Sequence, residues 1–271
     1  MSLVSTRAVL LRSFPYSETS RVLHFYTESL GSVGVMGKGV RAGGGRSGTA
    51  LDSFAEGTLT VHVKPTRDLQ TLREFSADRP RRALAADVHR FGGAAVLAEL
   101  VLKHAGEEAN PQLFRALSGA LDRLAEVPSE AIVPTLLRDG WQLVSTLGYR
   151  PVVEACVQCG APLGDEMARF DFAAGGVRCA RCAPNGVGPR LGPGARAQLA
   201  TLLSDEGELP ALDRPRAHLR LLSDFVTWHV SGGRPLATFE VLAGLLQPLG
   251  NPEPPGPIQS TGSGNPGVRQ P

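Results

Sequence analysis

Four cysteines are the residues of this 271-residue chain whose type and spacing most clearly specify chemistry. They fall as Cys156-x2-Cys159 and Cys179-x2-Cys182, nineteen residues apart, and the chain has no other cysteine. Each CxxC can present two thiolates to one ion, and two such turns complete a tetrahedron. Four sulfurs leave no position for a water or a substrate. The expected ion is therefore one structural Zn2+, not a hydrolytic metal. Two disulfides or a single redox-active CxxC are the alternatives. The start of the chain favours zinc, because it lacks the features of an exported protein. Its apolar residues 8–11 lie between Arg7 and Arg12, too short for a signal-peptide core of about 7–15 residues. No segment approaches the ~18 apolar residues that span a bilayer; the best run, 94–102, contains Glu99. The expectation is a cytoplasmic protein without membrane contact, whose thiols stay reduced and free to bind metal.

Charge supplies the second chemical signal. The net charge is only +2, but residues 1–82 hold twelve Lys/Arg against seven Asp/Glu, a net of +5, and the remainder is net −3. Such asymmetry hints at a polyanionic partner, although a solvated basic face is the bland alternative. Within the basic third, Arg12, Phe14, Tyr16, Arg21, Phe25 and Tyr26 interleave cations with rings. Single-strand binders pair cationic grooves with aromatic platforms in this way. Most of these rings read as core; Tyr16, beside Pro15 in a turn, is the one expected to be exposed. Lys38, Arg41 and Arg46 punctuate a glycine-rich stretch, 31–48, that fits neither a Walker A loop nor a dinucleotide fingerprint. A flexible loop able to close over a nucleic-acid backbone remains. The six histidines are scattered and read as surface or satisfied core residues. No nucleophile elbow or acidic cluster offers a catalytic candidate, so no enzyme is expected. Trp141 and Trp228 lie in helical runs and read as core.

The elements that must position these groups change character near Pro80. Before it, segments 7–13, 19–27, 31–40, 58–63 and 69–75 read as five short strands bent by glycines. That fits an OB-fold barrel over 1–80, with an SH3-like barrel as the alternative. After it, segments 83–103, 111–126, 129–147, 195–203, 215–230 and 236–249 carry 3.6-residue apolar spacing. Asn110-Pro111 reads as a helix start and Gly148 as a stop. The overall expectation is α+β: the barrel, then a helical domain over 81–250 with a four-cysteine zinc module inserted at about 151–187. Residues 251–271, rich in proline and glycine, read as a disordered tail.

Several segments together resemble the RecO family of recombination mediators. Residues 13–20 (SFPYSETS) resemble its "PYxExS" opening, and 27–31, 37–41 (GKGVR) and Leu51-x-x-Phe54 follow in that family's order. Residues 138–149 (RDGWQLVSTLGY), running into 156–160 (CVQCG), and 170–182 (FDFAAGGVRCARC) are similar to its "LLxxLGY…CxxCG" and "F…GGxxCxxC" segments. The likeness covers about residues 5 to 250. It implies an OB-fold, a helical domain, and a zinc module that some relatives lack. It further implies a non-enzymatic role: binding single- and double-stranded DNA, annealing complementary strands, and acting with RecR and single-strand-binding protein to load RecA. Lys38 and Arg41 occupy the family's basic KGxR positions. Arg12, Arg21 and Arg46 follow as DNA contacts by neighbourhood. A general RNA-binding zinc protein and a pure interaction scaffold are the rival functions.

Overall fold

The structure, a computed structural model, describes residues 2–38, 52–106, 108–183, 188–204 and 207–246. Arg41, Arg46, the end of the expected zinc module at 184–187 and the expected tail at 251–271 lie outside the described residues.

The N-terminal strands are β1 (Ser2–Pro15), β2 (Ser20–Thr27), β3 (Gly31–Lys38), β4 (Glu56–Val63) and β5 (Leu69–Arg79). They close in the order β1-β2-β3-β5-β4, with β4 returning to β1. Every pairing is antiparallel except the short parallel seam of β3 on β5, Gly34 opposite Leu69 to Met36 opposite Thr71. A five-stranded ring of this kind is OB-fold-like. Alternation fills it: Ala8, Leu10, Leu23, Phe25, Val35, Leu59 and Phe75 point inward, the Phe25 and Phe75 rings 4.9 Å apart.

β1 explains its own composition. Residues 8–11 are apolar without alternation because both faces are covered. Ala8 and Leu10 enter the barrel core, while Val9 and Leu11 join the helical core. A register shift between Leu10 and Arg12 then releases the strand from this double burial. Beyond it Arg12 is exposed.

The helices are α1 (Arg82–Ala86), α2 (Val88–His104), α3 (Pro111–Glu126), α4 (Ile132–Thr146), α5 (Pro193–Leu202), α6 (Pro215–His229) and α7 (Ala237–Leu245). The single helix expected over 83–103 is broken at Asp87. That residue turns extended, and its carboxylate accepts from the backbone N–H groups of His89 and Arg90. Asn110 caps α3 as expected, accepting from Leu113 N at 3.0 Å. Gly148 ends α4 at φ +94, a conformation that favours glycine. The segment 129–131 forms a 3-10 turn, so α4 starts later than its apolar spacing suggests.

Trp141 is fully buried against Phe225, ring centroids 5.2 Å apart. Trp228 is a correction. It is 59 % exposed, because α6 buries His218, Leu219, Leu221, Leu222, Phe225 and Val226, and Trp228 falls at the margin of that stripe in the last turn.

Candidate metal centre and nucleic-acid interface

Between α4 and α5 the chain forms β6 (Ala168–Asp171), β7 (Gly176–Arg178) and β8 (Arg190–Leu191), an antiparallel sheet in the order β7-β6-β8. Its inner face is apolar. Ala168, Phe170, Val177 and Leu191 join the helical core, and the Phe170 ring meets Phe225 of α6 edge-on. Two anchors add to this. The buried Arg196 guanidinium of α5 donates to the carbonyls of Leu163, Gly164 and Glu166. His229 Nε2 lies 2.6 Å from the carbonyl oxygen of Phe172. The module therefore carries apolar residues that are part of the helical core.

At the outer end of this sheet the four cysteines converge. The Sγ atoms of Cys156, Cys159, Cys179 and Cys182 all lie within 4.8 Å of one another. Cys159 and Cys179 are 4.0 Å apart, near the ~3.8 Å edge of a tetrahedron with metal–sulfur bonds of ~2.3 Å. All four are free thiols, which sets the disulfide alternative aside. Two tight turns do the positioning: Gly160 N–H donates to Cys156 O, and the N–H groups of Cys182 and Ala183 to Cys179 O. Gly176 is required where the second arm passes the first. A Cβ there would come within 2.4 Å of the carbonyl oxygen of Val152.

The thiols are tuned as a ligand set. Burial pushes Cys156 up, but backbone N–H groups of Cys179, Cys159 and Gln158 outweigh it and bring the thiol down to about 6. Burial opposes ionisation of Cys179 as well, and there the Cys182 and Arg181 backbone prevails and lowers it. Cys182 is pushed up to about 12 by hydrogen bonds to Cys179 and Cys159 and the negative charge of Cys156. Four clustered sulfurs cannot all ionise unless a cation joins them. Position and chemistry both fit one metal ion, held by all four thiolates.

The basic residues divide into two groups. Arg12, Tyr16, Arg21 and Lys38 gather at the β1–β2 hairpin end of the barrel, because register brings Pro15 opposite Arg21 and Ser20 opposite Lys38. Arg12 lies over the Phe14 ring at 4.3 Å, and Arg21 Nε donates to Ser13 Oγ at 2.7 Å. His24 meets Phe14 edge-on, and burial together with the Arg12 charge lowers its pKa. Tyr16 is 69 % exposed, whereas Phe25 and Tyr26 are core. Among the described residues, Arg12, Arg21 and Lys38 form no ion pair.

Sequence reading missed the second group. Glu56, buried where β4 begins, accepts from Arg7 at 2.8 Å, from Arg81 at 2.6 Å and from Ser118 Oγ of α3. Arg81 also reaches Asp122 at 2.6 Å and the carbonyls of Phe54 and Ser118. Arg7 and Arg79 pair with Asp78 and Asp122 respectively. Two of the twelve N-terminal cations, Arg79 and Arg81, thus hold the barrel to α3, while Arg7 braces Glu56 from within the barrel. No local pattern announces this, since the partners are tens of residues apart and Glu56 lies outside the strand expected at 58–63.

Comparison with known proteins closes the case for ancestry. Residues 1–80 match the family model described as Recombination protein O N terminal, and residues 85–236 that of Recombination protein O C terminal. The chain is 37 % identical over 225 residues to the DNA repair protein RecO of Anaeromyxobacter sp. (strain K), covering 80 % of this chain and 85 % of that one. It is 31 % identical over 249 residues to the RecO of Rubrobacter xylanophilus, covering 88 % and 96 %. To the RecO of Thermobifida fusca it is 29 % identical over 244 residues, covering 86 % and 96 %. With both halves of the chain matched in order, this protein belongs to the RecO family of DNA repair proteins.

Proposed function

We propose that this protein binds single- and double-stranded DNA through the hairpin end of its barrel and anneals complementary strands. With RecR it would then help load RecA onto DNA coated by single-strand-binding protein. The observation that carries the reading is the clustering of Arg12, Arg21 and Lys38, without ion pairs among the described residues, around exposed Tyr16. Arg41 and Arg46, which lie outside the described residues, are proposed as further contacts from their place in the sequence after Lys38. Cations there neutralise phosphates on two strands and lower their mutual repulsion, so complementary bases can meet; no bond is made or broken. A base stacks on Tyr16.

Annealing of complementary oligonucleotides by the intact protein tests this. Lys38→Glu with Arg41→Glu should abolish it. Affinity for DNA should fall with salt at a log–log slope of about 0.9 per phosphate contact. Salt-independent binding, or unchanged annealing by the double variant, sinks the reading; a preference for RNA in competition points to the rival function.

The ion is Zn2+ in a structural role. Its d10 shell accepts four thiolates tetrahedrally and leaves no open place for chemistry. Chelation or Cys156→Ser should release one equivalent of zinc and lower the melting temperature by several degrees. The effect should stop short of unfolding the chain, because the sheet keeps its apolar core and the Arg196 anchor. An unchanged melting temperature would contradict the structural role.

A further inference from the structure

His218 is a buried histidine that the sequence reading, as a satisfied core residue, leaves half explained. It sits on α6, 5 % exposed, and lines a cleft of about 320 Å³ between β8, α5 and α6. Its Nε2 lies 3.1 Å from Gln198 Oε1. The Gln198 amide is oriented by its other end, whose Nε2 donates to the carbonyl of Ala211 at 3.1 Å and to Asp213 Oδ2 at 3.0 Å. The amide oxygen must therefore face the imidazole, and Nε2 must carry the ring proton. Nδ1 is left as a buried lone pair with no hydrogen-bond partner among the described residues. Such an atom, withdrawn from water, calls for a donor.

The rest of the cleft calls for an anion. The ten-residue helix α5 begins there with Gly192 at its N-cap and no side-chain cap, so the N–H groups of Gly194 and Ala195 stand at the positive end of the helix dipole. Arg190 of β8 and Arg214, just before α6, flank the same space, and neither forms an ion pair among the described residues. Asp213 also lines it, its carboxylate engaged by Gln198. Donors and guanidinium groups share this lining with two acceptors, the His218 lone pair and the Asp213 carboxylate.

We infer that this cleft binds a phosphate group that still carries a proton, either inorganic phosphate or the terminal phosphomonoester of a nucleic-acid strand. The arginines and the helix N-terminus take the ionised oxygens, and His218 Nδ1 accepts from the P–OH. A phosphomonoester with its second pKa near 6 carries that proton in part at neutral pH. Sulfate, and the phosphodiesters within a strand, carry none and would set lone pair against lone pair.

The test titrates the full-length protein with inorganic phosphate and, at matched ionic strength, with sulfate, following the amide resonances of Gly194 and Ala195. Phosphate should bind saturably and sulfate about ten-fold more weakly or worse, the size of one lost hydrogen bond to a charged ligand. Arg190→Ala with Arg214→Ala, both at exposed positions, should weaken phosphate at least about ten-fold without moving the melting temperature. His218→Gln should narrow the phosphate–sulfate gap. Equal affinity for the two anions, or phosphate binding untouched by the double arginine variant, overturns the inference. Oligonucleotides with 5′-phosphate or 5′-hydroxyl ends distinguish the sources. Tighter binding of the phosphorylated end, competed by inorganic phosphate, assigns a strand terminus; equal binding beside intact phosphate binding assigns the free anion. The inorganic-phosphate arm does not depend on the barrel's affinity for DNA, so the two proposals can fail separately.

Discussion

Arg7 and Arg12 stand five residues apart on one strand, roughly 16 Å along it at ~3.3 Å per residue, and do opposite things. Arg7 belongs to the junction, gripping Glu56 and Asp78. Arg12 lies beyond the β1 register shift, exposed, without an ion-pair partner among the described residues, over Phe14. A count of basic residues treats them alike. Once partners are subtracted, the first is internal cement and the second is free for a polyanion. The contrast extends to Arg79 and Arg81 on one side and to Arg21 and Lys38 on the other.

The contrast is broken most severely at Arg81. Its guanidinium is buried and binds Glu56, Asp122, Phe54 O and Ser118 together. Arg81→Met removes that charge and leaves Glu56 without its shortest cation contact. The expected cost is ~3–5 kcal/mol in urea unfolding. The salt dependence of DNA binding by the folded fraction should not change. A loss of salt slope without a loss of stability would reverse the roles assigned to the two groups.

Acid probes the same junction more gently. Burial alone would raise the Glu56 carboxyl, but hydrogen bonds from Ser118, Arg7 and Arg81 outweigh it and hold the pKa below its ordinary value of 4.5. A carboxylate depressed in the folded state contributes stability that is fully present above the unfolded pKa and is lost as pH falls through the folded one. Stability should therefore be flat from neutrality to about pH 4.5 as far as this group is concerned, and fall below it. Asp139 works the other way. Burial raises it against the pull of Arg123, so its contribution grows as pH falls. Glu56→Gln separates them: the variant should be less stable at neutrality and lose the acid-induced fall assigned to Glu56. If its profile parallels that of the unmodified protein, another carboxylate carries the effect.

What could be read from the sequence follows from how local each cause is. The Asn110 cap and the Gly148 stop are decided by neighbours within a few residues and stand as read, and the two locally spaced CxxC pairs do bring their four sulfurs together. The five strands were legible because alternation and turn residues are local too. Three features were not. The break at Asp87 hides inside a continuous apolar pattern, and only the capping geometry reveals it. Trp228 carries the composition of a core residue at the edge of a helical stripe. Glu56, Arg81 and Ser118 meet across 25 to 62 residues of chain, a distance over which no spacing rule operates. For the same reason sequence identified Arg12, Arg21 and Lys38 as basic, while their lack of acidic partners among the described residues emerged only from the fold.

On the other side of the comparison, Tyr16 gives the next effect in size. It is the exposed ring among the free cations, held in its turn by its N–H donating to Ser20 O at 2.9 Å. Stacking of one base is worth ~1–3 kcal/mol. Tyr16→Ala should weaken single-stranded DNA by that amount and leave both the salt slope and the thermal stability in place. Tyr16→Phe should restore affinity, since the stacking face and not the hydroxyl is used. Equal losses for single- and double-stranded DNA would assign the ring to something other than an unpaired base.

The smallest effect is the sharpest discriminator, because it sets two arginines of one strand against each other. Each phosphate contact contributes about 0.9 to the log–log salt slope on duplex DNA and about 0.7 on a single strand. Arg12→Gln should reduce that slope by about one contact. Its stability should hold, since among the described residues Arg12 has only the Phe14 ring to lose, an exposed cation–π contact of about 0.5–1 kcal/mol. Arg7→Gln should do the reverse: no change of slope, but a measurable loss of stability from the bonds to Glu56 and Asp78. Charge removed is identical in the two variants, so a purely long-range field would lower both slopes alike. Divergent slopes would show that the polyanion makes contact at the hairpin end, where register and a strand irregularity leave the cations unpaired.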